Sequence, residues 1–269
     1  GVETMPKLKG TSENLKNDNE SVDNPTVWID KVSELTAAVV DVTGLSSVEK
    51  SEKDQMHFFI NPENDGTSVT VTDEEGLKAA LENGDIKTIN VSGTIESSDK
   101  IKVSRAVSII GDESAYIVFD NTDGFEIENA GEVMLENISV TVENNEIGWQ
   151  GIYGIQAYGA SNVTLRNVSV TGADGGILVN GAQTKLDSIV DVSGNEFGGI
   201  EVSKGVGVET MPKLTGTSEN LKNDDESLKN ATVWIDKVSE LTAAVVEVTG
   251  LNSAESGEKD QMYFFIGEV

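Results

Sequence analysis

Between Val107 and Val202 one short pattern returns four times, and it leaves few folds open. Val-Ser-Ile-Ile-Gly-Asp (107–112), Val-Met-Leu-Glu-Asn-Ile (133–138), Val-Thr-Leu-Arg-Asn-Val (163–168) and Thr-Lys-Leu-Asp-Ser-Ile (184–189) line up column by column. The third column holds Ile109, Leu135, Leu165 and Leu186; the fifth holds Gly111, Asn137, Asn167 and Ser188. Starts are separated by 26, 30 and 21 residues. Between them a second motif recurs: Gly-Phe-Glu-Ile (124–127), Gly-Ile-Gln-Ala (154–157), Gly-Ile-Leu-Val (176–179) and Gly-Ile-Glu-Val (199–202). Apolar residues at alternate positions mark strands with one buried face. A period of about 20–30 residues means that each unit stacks on the next. With glycine turns and no helical pattern between the strands, the prediction is an all-β coil. Its rungs lie about 4.8 Å apart and equal columns stack.

Asn137 and Asn167 fit a device of such coils. A side-chain amide can bond to its own turn and to the amide of the next rung, forming a ladder. On the rung pattern and this column, the sequence resembles the right-handed parallel β-helix family, the pectate-lyase-like fold. That resemblance implies a solenoid with a short N-terminal capping helix and irregular terminal rungs. Residues 72–84 suit the helix: Thr72 with Glu75 forms a capping box, Leu77, Ala80 and Leu81 share a face, and Gly84 suits the C′ position. Ile86–Ile95 and Ile101–Val107 then begin the rungs.

Gly1–Ile60 recurs as Gly207–Ile266 with 49 of 60 positions identical, which marks a tandem duplication. The expected organisation is 1–60, terminal rungs of a preceding repeat; 61–66, a junction; and 67–266, a complete repeat. Within that repeat 72–84 is the helix, 86–206 the rungs and 207–266 the terminal rungs and cap. In the first copy 26–30, 36–43 and 56–60 are predicted strands, 11–24 a loop, and 46–54 an exposed charged turn. Trp28, Trp234, Phe58, Phe59, Phe264 and Phe265 are expected to bury against a coil end, because uncovered strand edges invite aggregation.

Forty-seven acidic residues against 19 basic ones give a net charge of −28. This balance disfavours nucleic acid and anionic membranes and keeps a long rod soluble. No run approaches the roughly 20 apolar residues of a membrane span, so no membrane insertion is expected. Without cysteine there is no disulfide or thiolate metal site. His57, the single histidine, is Tyr263 in the second copy, which argues against a catalytic role. No catalytic triad, HExxH or nucleotide-binding motif occurs.

Asn-Thr-Asp-Gly-Phe-Glu (121–126) resembles a segment of polygalacturonases, which share the coil, but their Gly-His-Gly and Arg-Ile-Lys motifs are missing. Pectate lyases imply calcium-binding carboxylates and a catalytic arginine; Arg166 lies on a rung without a defined carboxylate set. The chain is therefore expected to have no catalytic residues, no cofactor and no enzyme activity. A binding site is the sharper expectation. If register holds, Asp123, Glu146, Asp174 and Glu196 share one column of turns, with Trp149 and Tyr153 from its longest loop. Carboxylates beside an aromatic plate suit a polysaccharide, or calcium at Asp123 and Asp174; acidic glycine-rich turns are also what any solvated coil needs.

Six Asn-x-Ser/Thr sequons, at Asn19, Asn90, Asn137, Asn162, Asn167 and Asn230, arise readily in Asn- and Thr-rich strands, and those in the ladder are expected to be inaccessible. The chain resembles the repeat stalks of bacterial cell-surface and adhesin-like proteins. The implied role is a stiff extracellular spacer, or a self-associating fibre or surface-layer subunit, whose neighbouring repeats meet end to end. The alternatives are a polysaccharide-binding module and, third, an atypical polysaccharide lyase or hydrolase.

Overall fold

The alternating pattern is realised as parallel pairing in register. The computed structural model describes residues 5–17, 24–30, 35, 37–48, 56–60, 67–224, 227, 230–236, 241–254 and 262–267, in two units, Gly1–Val69 and Thr70–Val269. The predicted junction 61–66 and the sequon at Asn19 lie outside the described residues.

The first unit contains β1 (Leu8–Thr11), β2 (Val27–Asp30), β3 (Val40–Thr43), β4 (Ser46–Val48) and β5 (Met56–Ile60). β1 pairs with β3 in parallel, and β5 runs antiparallel to both β2 and β4. Two expectations change here, and one strand is added. Leu8–Thr11 is a strand, although its sequence offers a single apolar residue. The predicted strand 36–43 is shortened to Val40–Thr43 by a 3₁₀ turn at Ala37–Val39. The predicted turn 46–54 begins instead as β4, and 49–54 lie outside the described residues.

At the division comes β6 (Ser68–Val71), then α1 (Glu74–Glu82), β7 (Thr88–Val91), β8 (Thr94–Ser97) and β9 (Ile101–Val103). The repeated rungs are β10 (Val107–Gly111), β11 (Tyr116–Asp120), β12 (Phe125–Glu128), β13 (Gly131–Glu143), β14 (Tyr153–Tyr158), β15 (Ser161–Thr171), β16 (Gly175–Asn180), β17 (Gln183–Leu186), β18 (Val190–Asp191) and β19 (Gly198–Ser203). The second copy adds β20 (Lys213–Thr217), β21 (Leu221–Lys222), β22 (Val233–Asp236), β23 (Val246–Thr249), β24 (Asn252–Ala254) and β25 (Met262–Ile266). One ladder runs β6-β7-β10-β13-β15-β17-β20-β23 and a second β9-β12-β14-β16-β19-β22. A third face is made by β8, β11, β18 and β21 with the far halves of β13 and β15. This is a parallel β-helix.

The predicted columns stack. Ile109 lies level with Ile89 and Leu135, Leu135 with Leu165, and Leu165 with Leu186. On the second ladder Ile101, Phe125, Ile155, Ile177, Ile200 and Val233 follow one another. All are buried. Burying each such side chain contributes about 1.5–3 kcal/mol, and this interior is what makes the coil stand.

β13 and β15 turn the corner between two faces at Asn137 (φ 55°) and Asn167 (φ 52°). Asn tolerates this left-handed conformation better than other non-glycine residues. In the same column Gly111 has no room for a side chain: a Cβ there would meet Asn137 O at 2.2 Å. Asn167 Nδ2 donates to Asn137 Oδ1 at 2.9 Å, so the predicted ladder forms, two rungs long. Both residues are exposed, not inaccessible as expected, because the left-handed bend turns their amides to the outside of the coil.

The ends are closed differently. α1 buries Leu77, Ala80 and Leu81, as predicted, against β7–β9. Its N-cap is Asp73, whose side chain accepts from Gly76 N at 2.8 Å, in place of Thr72. Gly84 lies beyond the C-cap Asn83 and is not left-handed. Arg105, one of only two arginines, does the work the C′ glycine was expected to do. Its guanidinium donates to Leu81 O at 2.8 Å and Ala80 O at 2.7 Å, so it satisfies the open helix carbonyls and ties α1 to the first rungs. At the other end β25 runs antiparallel to β22 and β24, breaking the parallel pattern. Trp234 and Phe265 are buried there as expected, but Trp28 in the first copy is exposed. Among the described residues no helix is long and apolar enough to cross a membrane.

Leu165→Ala is expected to destabilise the coil by about 2–5 kcal/mol, measured by urea unfolding of the unit's circular dichroism.

Candidate functional site

The strands β12, β14, β16 and β19 turn alternate residues away from the interior, so Glu126, Gln156, Leu178 and Glu201 form one row on the outer side of the sheet, in which Gln156 and Leu178 are nevertheless buried. The loop 144–152, the longest between β10 and β19, enters this face and carries Trp149. How that loop is held decides which of the predicted residues remain available.

Asp174 holds it. Its carboxylate is fully buried. Oδ2 accepts from Gln150 N and Gly151 N at 2.6 Å each and from Ile152 N at 3.1 Å; Oδ1 accepts from Asn145 Nδ2 at 2.8 Å. A carboxylate so filled by loop amides has no lone pair facing solvent for a sugar or a metal, and the expectation of Asp174 as a binding or calcium residue is corrected. Glu196 is likewise engaged: it is exposed, but its two oxygens accept from Gly148 N at 3.0 and 3.1 Å, pinning the loop from the following rung. Glu146 is exposed on the loop itself.

Nor do the four carboxylates share one column. Asp123 lies level with Tyr153, and Tyr153 with Gly175 and Gly198. Carried back from Phe125 and Ile177, each of which pairs with Ile155, that register sets Asp174 one residue out of step with Asp123. The unequal loop lengths before each strand cause this. Among the described residues no three acidic or histidine side chains converge as a metal site would require.

Tyr153 is buried, so it is no part of an exposed plate. Its hydroxyl donates to Glu201, and burial together with that carboxylate pushes its pKa up. Tyr158 donates to Gln156 Oε1 at 2.8 Å, and burial, with Asp123 nearby, raises its pKa to about 12. Asp123 is half-buried; it accepts from Tyr153 N at 3.1 Å, and burial raises its pKa despite that bond and Lys100. Lys100 and Lys102 both pair with Glu126, the latter at 3.5 Å. What the face offers outward is Trp149, half-exposed. Its ring stands edge-on to Tyr153 at 5.8 Å and to Phe197 at 5.3 Å. Phe197 was not foreseen; its position two residues before the Gly-Ile-Glu-Val motif was the available signal.

Arg166 lies on the other ladder, donating to Glu136 at 3.1 Å and to Asp187 at 2.7 Å. It clamps three successive rungs, and Asp187 raises its pKa. A hollow of about 610 Å³ runs along the asparagine corner, lined by Tyr116, Asn137, Ser139, Asn167, Ser169 and Lys222 among others. Tyr116 is half-exposed in it.

Asp174→Ala leaves three backbone donors without their acceptor and is expected to cost about 3 kcal/mol, and Asp174→Asn about half of that. Urea unfolding measures the loss, and cleavage within 144–152 during limited proteolysis should rise in parallel.

Residues 68–177 match a family described as "Putative pectate lyase-like adhesive domain". A curated protein, pectate lyase plyB of Emericella nidulans, is 32% identical over 165 residues, which is 61% of this chain and 46% of the lyase. The chain thus spans about half the length of that relative. No solved structure is significantly similar to the chain. The likeness to a lyase overturns the expectation that the chain is no enzyme: its sequence does not set it apart from proteins that carry catalysis on this coil. The family's description speaks for a surface or adhesive structural module. By fold the coil is a parallel β-helix, and its sequence is similar over 68–177 to the pectate lyase-like adhesive family.

Proposed function

We propose that the chain is a stacking module of a secreted or surface-attached adhesive protein, in which repeats add length to a stiff rod. The observation that carries this reading is that the duplicated segment continues the coil. Leu214 lies level with Thr184, and Val233 with Ile200, in parallel pairing unbroken from the rungs before them. A duplicated linker would hang from the coil; this segment prolongs it. The match of 68–177 to an adhesive-domain family supports an extracellular or surface setting. From β6 to β23 the first ladder makes seven steps, about 34 Å at about 4.8 Å per step.

A second reading is favoured by Trp149, which stands half-exposed on a braced loop of the outward face. An aromatic ring in that setting suits contact with a polysaccharide, and the relative named for pectate supports testing polygalacturonate first.

Two measurements follow. A chain with residues 67–206 repeated ahead of Gly1 adds the six first-ladder rungs β6, β7, β10, β13, β15 and β17 and should gain about 29 Å in maximum dimension by small-angle X-ray scattering; an increase in mass without that gain would contradict the spacer. In affinity electrophoresis through polygalacturonate, Trp149→Ala should abolish retardation if the loop face binds. Tyr116→Ala should do so if the asparagine corner binds.

A further inference from the structure

A sixty-residue segment occurs twice in this chain, with 49 positions identical, in two surroundings. Internally the copies agree. Leu8 pairs with Val40 as Leu214 does with Val246, and Val27 with Phe59 as Val233 does with Phe265. Asn17 Nδ2 donates to Asn24 O at 3.2 Å, and Asn223 Nδ2 to Asn230 O at 3.1 Å. Lys7 pairs with Asp41 at 3.3 Å, and Lys213 with Glu247 at 2.8 Å. Their following layers are equally buried: Val42 is 9% exposed and Val248 7%.

Their leading layers differ. Leu8 is 45% exposed where Leu214 is 0%, and Trp28 is 60% exposed where Trp234 is 6%. In the second copy the coil supplies the cover. Lys213 N donates to Ala182 O at 2.9 Å, Gly199 N to Ala231 O at 3.2 Å and Ile200 N to Thr232 O at 2.9 Å. The indole of Trp234 fills a slot kept open by two glycines: a Cβ on Gly175 would lie 3.2 Å from its Cη2, and one on Gly198 3.1 Å from its Cζ3.

We infer that the leading layer of residues 1–60, centred on Leu8, Val27 and Trp28, is a docking surface for the trailing rung of another repeat of this sequence. That rung is the edge made here by Gln183–Leu186 and Gly198–Ser203. This rests on the reading of the chain as a stacking module, and it names the surface, the partner edge and the register by which modules join.

The two substitutions in the leading layer differ in what they keep of the joint. Pro25 stands for Ala231, which contributes only its carbonyl to the joint, and a proline retains that group. Lys9 stands for Thr215, a partly exposed residue whose hydroxyl donates to Thr184 O at 3.4 Å; that one bond is not kept. Trp28 and Leu8 are unchanged. An edge of unpaired strand groups beside an exposed tryptophan is a surface that proteins cover, and the second copy shows which cover fits.

The test is hydrogen exchange, followed by mass spectrometry, on two proteins: the present chain, and the chain with residues 67–206 repeated ahead of Gly1. In the present chain, amides of 8–11 and 27–30 should exchange at least tenfold faster than those of 213–217 and 233–236. In the extended chain the two sets should become equally slow. Gly198→Val placed only in the added repeat should close the slot and restore fast exchange at 8–11 and 27–30; the added repeat's own peptides report whether it has folded. Fast exchange at 8–11 and 27–30 in a folded extended chain would overturn the docking surface. If that chain has nevertheless gained its full length in scattering, the spacer reading stands without it; if not, both fall. Slow exchange in the present chain that depends on concentration and accompanies a doubled mass would also overturn it. There a second copy, whose own rung edge is already covered, would be the occupant.

Discussion

A strand in a parallel stack carries hydrogen-bonding groups on both edges, so every rung needs another rung, or a substitute, above and below it. The rest of this structure follows from that requirement. Rungs of similar sequence satisfy one another in the middle, where Leu135, Leu165 and Leu186 lie one above the next. At the start of the coil α1 covers the interior, and Arg105 ties it down by taking up helix carbonyls. At the far end the antiparallel β25 ends the parallel pattern. The second copy of the duplicated segment belongs to this scheme as a closing layer whose leading face the preceding rung covers.

The same geometry governs the loops. A loop leaving one rung can be fastened only by groups on its neighbours, since its own strands are occupied by the ladder. Asp174 serves the loop 144–152 from the following rung and Glu196 from the one after that. Acidic residues in turns thus act as internal acceptors for backbone amides. Trp149 reaches the outward face on a loop held in this way.

The coil was legible in the sequence because its physics repeats. Each rung must place an apolar residue at the same point, and the columns of Ile109 and Phe125 announce this. The first strand of the duplicated segment was not legible. Leu8–Thr11 has no alternation, and its second copy Lys213–Thr217 becomes a strand through the edge offered by β17. Asp123 and Asp174 look equivalent in sequence, each standing directly before a glycine; unequal loops put them one residue out of step, and only the pairing register reveals it. Burial of Tyr153 and the double duty of Arg105 were hidden for a related reason. Both depend on residues more than twenty positions away, Arg105 on the helix carbonyls and Tyr153 on Glu201.

Contacts between methyl groups of neighbouring rungs test the stacking most directly. In a sample labelled at Ile, Leu and Val methyls, nuclear Overhauser spectra should link Leu135 to Leu165, Leu165 to Leu186, and Ile155 through Ile177 to Ile200. Leu135 and Leu186, two rungs apart at about 10 Å, should show no direct link. Links displaced by two residues, or none among these side chains in the folded chain, would contradict a coil in this register.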